Sequence, residues 1–500
     1  MSKKTNKRAV SDRLPKRNGH FRETVTDWYI SVMLLVYCLW CPEGFVNVEE
    51  PKYIFFAAAT LLWFVLLVSI SFEEGLPTGF FTPARIAALV FAAVCLLSSV
   101  FSPFDLSEII IGHRYTGLLT QLLLATMMMG ISQFGHCKDR HFIAFGLSIV
   151  ILCLISIVQK LGINIFGMYP GDTTYFNYPT FLGTIGNIDT LAALISLAVP
   201  LFLGLFVKKE APYAKLYLIA LFFSSMLLTL GGAESALLGV AVVSVVTPAF
   251  LVRSMKDLRR TLGGGALALA GIALGGTMDI GMANGVSVFR FSFGTMTIAC
   301  LALAAVFGAA SWSLQFIRRE PSGRMFRNAF IAVAVVCVFG ALTAVWFWPG
   351  QSGTVYQASQ ILHGHFDDSY GNDRIGIWRV TLTNVPESPM LGGGPGTLHL
   401  RTVKILENGS VARLAHNTYL QYLVDTGILG LLSYLALIFT SIFVRRREQW
   451  KPVRIGLVLA AMCYAVQDFF NLGVPVASPF FWIILGLLQA RTDEEPDAAV

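Results

Sequence analysis

The stretch RLAHNTYLQYLVDTGILGLLSYLALIFTSIF, residues 413–443, opens on a histidine and an asparagine and closes in a long apolar run. Crossing about 30 Å of hydrocarbon takes roughly 20 apolar residues in a helix, and the segment from Thr418 onward supplies that length. His416, Asn417 and Gln421 then form a polar edge at the mouth of a membrane helix. Gly427 and Gly430, with Leu420 and Leu423, fall on the side that carries His416. Such a small-residue stripe lets another helix approach closely and fix the histidine in place.

Apolar runs of this kind recur along the whole chain of 500 residues, which is 55% hydrophobic and 13% charged with a mean hydropathy of +0.65. Soluble domains carry roughly a quarter charged residues, and the alternation of a membrane β-barrel is absent. The expected fold class is all-α: a polytopic integral membrane bundle of about 12–14 transmembrane helices, with one long external loop containing short helices.

The net charge of +7 is read by location rather than as a nucleic-acid signal. Residues 1–22 hold eight Lys/Arg against one Asp and lack a signal-peptide core, which reads as a cytoplasmic tail. Carrying that orientation along the apolar runs, from 28–40 to 479–488, places Lys138/Arg140, Lys208/Lys209, Arg253–Arg260, Arg318/Arg319/Arg324 and Arg445–Arg447 on the cytoplasmic side. The chain then divides into a basic tail (1–27), transmembrane helices one to eleven (28–349), an external loop with interfacial helices (350–415), helices twelve to fourteen (416–490) and a cytoplasmic tail (491–500). The eight cysteines lie in or beside apolar runs, and the single C-x-x-C, Cys38 and Cys41, has no second pair, so their reading is packing.

In the loop, GNDRIGIWRVTLTNVPESPMLGGGPGTL (residues 371–398) reads as a helix capped by Asn372 or Asp373 and stopped by Pro386 and Pro389. A turn at Gly392–Gly396 and a second short helix over 398–406 follow. Arg374 and Trp378 share a face, with Arg379 offset from it. This is the pattern of an interfacial helix, Trp378 at headgroup level and the arginines toward phosphates or bulk water. The glycine run lacks the strand–turn–helix setting of a nucleotide loop. HFDD (365–368) is the nearest approach to a metal-ligand cluster and reads as solvated loop, so no cofactor or metal is expected.

Arginine beside histidine near lipid headgroups suits sugar transfer from a polyprenyl diphosphate. The planar guanidinium neutralises the departing diphosphate, and histidine titrates in the range needed to take a proton from the acceptor hydroxyl. Nucleotide sugars are not available outside the cell, so the donor would be lipid-linked.

Three stretches resemble the O-antigen ligase and Wzy-type polysaccharide polymerase superfamily. DRIGIWRVTLTNVPESPMLGGGPGTL is similar to its R-x-x-x-W helix and P-x-x-G-x-G-P-G-T turn, and AHNTYLQYLVDTGILGLLSYL to its H-N helix. GHRYTGLL (112–119), VQKLG, FLGTIGNIDTLAALIS and the closing DFFNLGVPVASPFFWIILGLL match weaker elements, so the likeness spans roughly residues 110–490. The resemblance implies a metal-independent, inverting membrane glycosyltransferase that polymerises or transfers polyprenyl-diphosphate-linked glycan units on the outer face of the membrane, onto a glycan or lipid-linked acceptor. It implies His416 as the catalytic base or orienting donor, Arg374 and Arg114 as diphosphate contacts and Asn417 as an orienting neighbour or helix cap; Arg379, from its place on the interfacial loop helix, is a further candidate substrate contact, with lipid anchoring as the alternative. Members often carry a Ser-Arg pair near the eighth helix, where this chain has GGAESALLG; Arg401, Lys404 and Arg413 are the candidate replacements.

Carboxylates within apolar helices default to function. Asp425, about 13 Å along the helix from His416, reads as a buried anchor; Asp468 stands near a helix end, and Asp189 and Glu234 read as lining an acceptor cavity. Two other readings use the same chain. One is a transporter or flippase for lipid-linked sugars, disfavoured by the lack of an internal repeat and of paired broken helices. The other is a SEDS-type peptidoglycan polymerase, which the H-N and G-P-G elements fit less well.

Overall fold

The computed structural model describes residues 20–75, 79–210, 212–232, 234–283, 286–317, 320–401, 413–444 and 452–491. Most of the basic tail, the tail after Arg491, Lys404, most of the 398–406 segment, and the Arg318/Arg319 and Arg445–Arg447 clusters lie outside the described residues.

Helices α1 (His20–Val32, continued by a π-helical segment Met33–Tyr37), α2 (Glu49–Glu74), α3 (Pro83–Val100), α4 (Leu106–Ile111), α5 (Leu118–Phe134) and α6 (Asp139–Lys160) form the first half. A two-residue ladder, β1 (Phe181–Leu182) with β2 (Gly186–Asn187), leads into α7 (Ile188–Lys208), α8 (Tyr213–Leu230), α9 (Glu234–Leu251) and α10 (Met255–Thr277). The antiparallel pair β3 (Met278–Ala283) and β4 (Val286–Phe291) precedes α11 (Thr295–Ser313), α12 (Gly323–Trp346), α13 (Thr354–Leu362) and α14 (Arg374–Leu382). The chain closes through α15 (Thr418–Phe443), α16 (Pro452–Gln467) and α17 (Ser478–Gln489).

Among the described residues, nine helices are long and apolar enough to cross a membrane, or ten if the bent pair Leu106–Tyr115 and Leu118–Phe134 counts as one span. The shorter apolar helices Val453–Gln467 and Ser478–Gln489 add to these, and every apolar run read from sequence lies on a helix. The protein is a multi-pass helical membrane protein. One run ends early: the segment expected to reach residue 280 as a helix turns into β3 at Met278. Helix α13 was not expected.

The core sits around α7, 89% of whose apolar window is buried, and which packs on α8, α9 and α16. Helix α12 lies at the other extreme, 6% buried and touching chiefly α9 and α13. Helix α15 packs on α3, and α5 on α17.

Helix α15 is not continuous. Gly427 has φ 69° and ψ −172°, which interrupts it one-third of the way along. A break inside hydrocarbon frees backbone groups that must find partners, and here the 389–396 turn supplies them. Gly393 N donates to Val424 O (3.2 Å) and Gly394 N to Asp425 O (2.8 Å); Ile428 N donates to Pro389 O (2.9 Å) and Leu429 N to Met390 O (3.3 Å). Gly427, expected to meet a helix, meets the backbone of this loop, whereas Gly430 faces Thr426 of its own helix. A methyl group on Gly427 would overlap the Met390 carbonyl, and one on Gly392 the Asp425 carbonyl.

Gly427→Ala is expected to lower the unfolding midpoint in detergent, at a cost on the order of 3 kcal/mol or more. Gly340→Ala, in the middle of α12 with open space around it, should be neutral or stabilising by up to about 1 kcal/mol. Equal midpoints for the two variants would contradict the interrupted helix.

Candidate functional site

The turn that fills the break also reaches back to the start of α5. Gly396 O accepts from His113 N (3.0 Å), and Gly396 lies so close to Gly112 that a Cβ on either would collide with the other segment's backbone. Ser102 Oγ donates to Gly393 O. Three parts of the chain are thus tied by one turn: the 112–117 segment carrying Arg114, the turn itself and α15, which His416 precedes.

His416 is half-buried and held by its neighbours. Asn417 caps α15, its Oδ1 accepting from Tyr419 N (3.0 Å) and Leu420 N (3.1 Å). Thr418 N donates to Asp468 O (2.8 Å) and Thr418 Oγ1 to Asp468 Oδ1 (3.0 Å), joining the start of α15 to the end of α16. Gln421 Oε1 accepts from Ala415 N (2.9 Å), and its Nε2 donates to Asp425 Oδ2 (2.8 Å). That same carboxylate oxygen accepts from Gly396 N (2.9 Å). Asp425 is therefore an anchor, but between helix and turn.

Arg374 begins α14, where the helix dipole already favours anions. Its Nη1 donates to Gly371 O (3.0 Å), its Nη2 lies 3.8 Å from Asp189 Oδ1, and its buried Nε has no partner among the described residues. Arg114 is held by Glu49 at the start of α2, Nε to Oε1 at 2.7 Å. Burial first, then the Arg374 and Arg114 guanidiniums, hold the His416 imidazole below its ordinary pKa, while the Asp189 carboxylate acts the other way. The imidazole thus lies within electrostatic reach of both guanidiniums and of the Asp189 carboxylate. His113 and His399 stack beside them with ring centroids 4.9 Å apart.

Backbone strain collects in the same place. Among the described residues six non-glycine residues have positive φ: Arg114, Tyr115, Asn372, Asp373 and His416, plus Phe166. Five of these six are the site residues or their chain neighbours. Left-handed non-glycine backbone costs on the order of 1–3 kcal/mol each and concentrates where function requires it.

Other expected residues sit elsewhere. Arg379 is exposed and pairs with Asp368, Nε to Oδ1 at 3.0 Å, in the HFDD segment. Trp378 packs near Phe470 at a centroid distance of 6.2 Å and is half-buried. Arg401 is buried as a brace, Nη1 donating to Asn384 O (2.7 Å) and Nη2 to Val424 O (3.2 Å). Arg413 is exposed. Asp189 and Glu234 stand at the first turns of α7 and α9 rather than in apolar interiors; Glu234 Oε2 accepts from Thr354 Oγ1 (2.7 Å). Sequence reasoning missed Glu49, His113 and His399, whose partners are remote in the chain. Among the described residues no group of three or more His, Cys, Asp or Glu is arranged to hold a metal ion.

Asn417→Ala should cost about 1 kcal/mol of stability, with Asp or Ser restoring it, because the cap needs only an oxygen acceptor. Thermal unfolding of the three variants checks this, and an Ala variant as stable as the parent would remove the cap.

The family model Wzy_C, O-antigen ligase, matches residues 286–435. No curated protein and no solved structure matches the chain. The matched region contains Arg374, the 392–396 turn, His416 and the break in α15; Arg114, Glu49 and Asp189 lie before it. The likeness to O-antigen ligase thus covers residues 286–435, about a third of the chain.

Proposed function

We propose that the protein is a glycosyltransferase that polymerises or transfers polyprenyl-diphosphate-linked glycan units on the outer face of the membrane. The observation that carries this reading is the buried, unpartnered Nε of Arg374 at a helix N-terminus, beside a His416 imidazole on which the Arg114 guanidinium also acts. Two guanidiniums and a helix dipole form a site for a diphosphate.

In the reaction, an acceptor hydroxyl oxygen attacks the anomeric carbon as the bond from that carbon to the diphosphate oxygen breaks, inverting the centre. The hydroxyl proton passes to the His416 imidazole, and the guanidiniums hold the charge that develops on the diphosphate. The lowered pKa keeps the imidazole neutral at neutral pH, the form that accepts a proton.

The charge pattern supports the outer face. The site adjoins the first turn of α7, whereas Lys208 and Lys209 end that helix, 21 residues on and roughly 30 Å away. At that far end Lys208 pairs with Asp257 (2.8 Å) and Lys209 with Asp139 (3.1 Å), amid Arg253, Lys256 and Arg260. A basic end is expected to face the cytosol; the described ends of the chain at His20 and Arg491 lie with Asp27, Lys138 and His136 near that end, and this supports cytoplasmic termini and an external loop. The interruption of α15 does not argue for transport, because the freed backbone groups named above are taken up by the turn instead of lining a path.

Purified protein carrying His416→Ala should keep its unfolding midpoint and lose glycan transfer by about 100-fold or more; full activity in that variant would end the mechanism. In the parent, activity should fall as pH drops through a value below the ordinary imidazole pKa of 6.5. Arg374→Gln removes a cation that opposes imidazole protonation, so the acid limb moves to higher pH and the donor KM rises. Asp189→Asn removes a carboxylate that favours protonation, so the limb moves to lower pH. Acid limbs that do not move, measured as kcat/KM against pH, would separate His416 from both groups.

A further inference from the structure

A crevice of about 910 Å³ opens between α9 and α12, at the end of the bundle remote from His416. On α12 it is lined by Arg327, Ile331, Ala334, Val335, Val338 and Phe339, spacings that make one helical face. The opposite wall is Val246, Ala249 and Phe250 of α9, and Lys208 and Arg253 stand at the mouth. The arginine-to-phenylalanine length of α12 is twelve residues, roughly 18 Å, against about 15 Å for half a hydrocarbon core. The crevice is therefore about one leaflet deep, cationic at one end and apolar along the rest.

The charges at the mouth are not balanced. Asp257 pairs with Lys208 at 2.8 Å and accepts from the backbone N of Arg253 at 3.0 Å. The Arg253 guanidinium donates to carbonyls, those of Ala249 (2.7 Å) and Val252 (2.9 Å), and forms no ion pair among the described residues, although the single Asp257 carboxylate, already paired with Lys208, also bears on it. Arg327 makes no hydrogen bond or ion pair among the described residues. Both guanidiniums are exposed, and they bear on each other electrostatically. Two like charges converging on a groove of apolar side chains call for an anion attached to hydrocarbon. A zwitterionic headgroup would bring its own cation to the same place.

We propose that this crevice binds an anionic phospholipid of the leaflet at the basic end, its phosphate between Arg253 and Arg327 and one acyl chain along α12 toward Phe339. Helix α12, which has little protein around it, is held to α9 in part through that lipid. The site is separate from the sugar-transfer chemistry and requires none of it.

The test uses the full chain in phosphatidylcholine nanodiscs doped with a trace of phosphatidylglycerol carrying a photoreactive diazirine near one acyl terminus, with labelled phosphatidylcholine as the comparison. Peptide mapping should find phosphatidylglycerol label within residues 331–339, at least about fivefold above phosphatidylcholine, the attraction of one basic side chain for an anionic headgroup. The double variant Arg253→Gln/Arg327→Gln should bring the two lipids to equal labelling. Ala334→Trp, which fills the groove and leaves the cations, should lose the label altogether, with unfolding midpoints confirming that both variants fold. Equal labelling of the two lipids by the parent, a double variant that keeps its preference, label found only elsewhere, α12 cross-linked to a second copy in place of lipid, or displacement by polyprenyl phosphate but not by unlabelled phosphatidylglycerol would each overturn the assignment.

Discussion

The arrangement depends on a helix that stops and restarts partway along an apolar span, where the break is buried in protein. At Gly427 the backbone of α15 leaves helical geometry, and the carbonyls of Val424 and Asp425 and the amides of Ile428 and Leu429 would be stranded without outside partners. The 389–396 turn enters and takes all four. Arg401 and Ser98 add donors to the same two carbonyls. Each element explains the composition of the other: α15 needs a glycine where a loop carbonyl touches it, and the loop needs glycines where its amides must reach a helix.

From that join the rest of the site follows. The far end of the turn meets Gly112, which fixes the segment carrying His113 and Arg114. The near end fixes the depth of α15, hence the position of His416 above its Asn417 cap. Arg374 arrives from a separate helix and is oriented by Gly371 and Asp189. Left-handed backbone at Arg114, Asn372, Asp373 and His416 is the cost of aiming these side chains inward. On the proposed function, a site with its cations already in place would lose little reorganisation energy as a diphosphate departs, which is where electrostatic catalysis acts.

Much of this was legible in the residues. Hydropathy located the helices because the solvent, hydrocarbon, tolerates so little else. The H-N step at the threshold of α15 announced both a titratable group and a cap, and Arg374 stood out as a cation at the start of an amphipathic turn. What was not legible has a common physical cause. Gly427 and Gly430 have the spacing of a helix-packing stripe, and nothing local distinguishes a glycine chosen for close approach from one chosen for positive φ. Glu49 with Arg114, Asp368 with Arg379 and Asp189 with Arg374 are pairings set by tertiary placement. Asp189 and Glu234 looked intramembrane because the apolar runs following them begin one or two residues later, so the helix start was invisible to hydropathy. The β3–β4 pair was hidden by a glycine-rich, apolar lead-in that scores as helix and strand alike.

The central claim is that two guanidiniums and one imidazole from three separate parts of the chain face a single diphosphate. A cryo-EM structure of the protein with a bound polyprenyl diphosphate tests it most directly. The account predicts phosphate oxygens within hydrogen-bonding distance of the Arg374 Nε and of the Arg114 guanidinium, with the first sugar carbon turned toward His416. A diphosphate bound out of reach of both arginines, or at the Lys208–Arg253 end of the bundle, would contradict it.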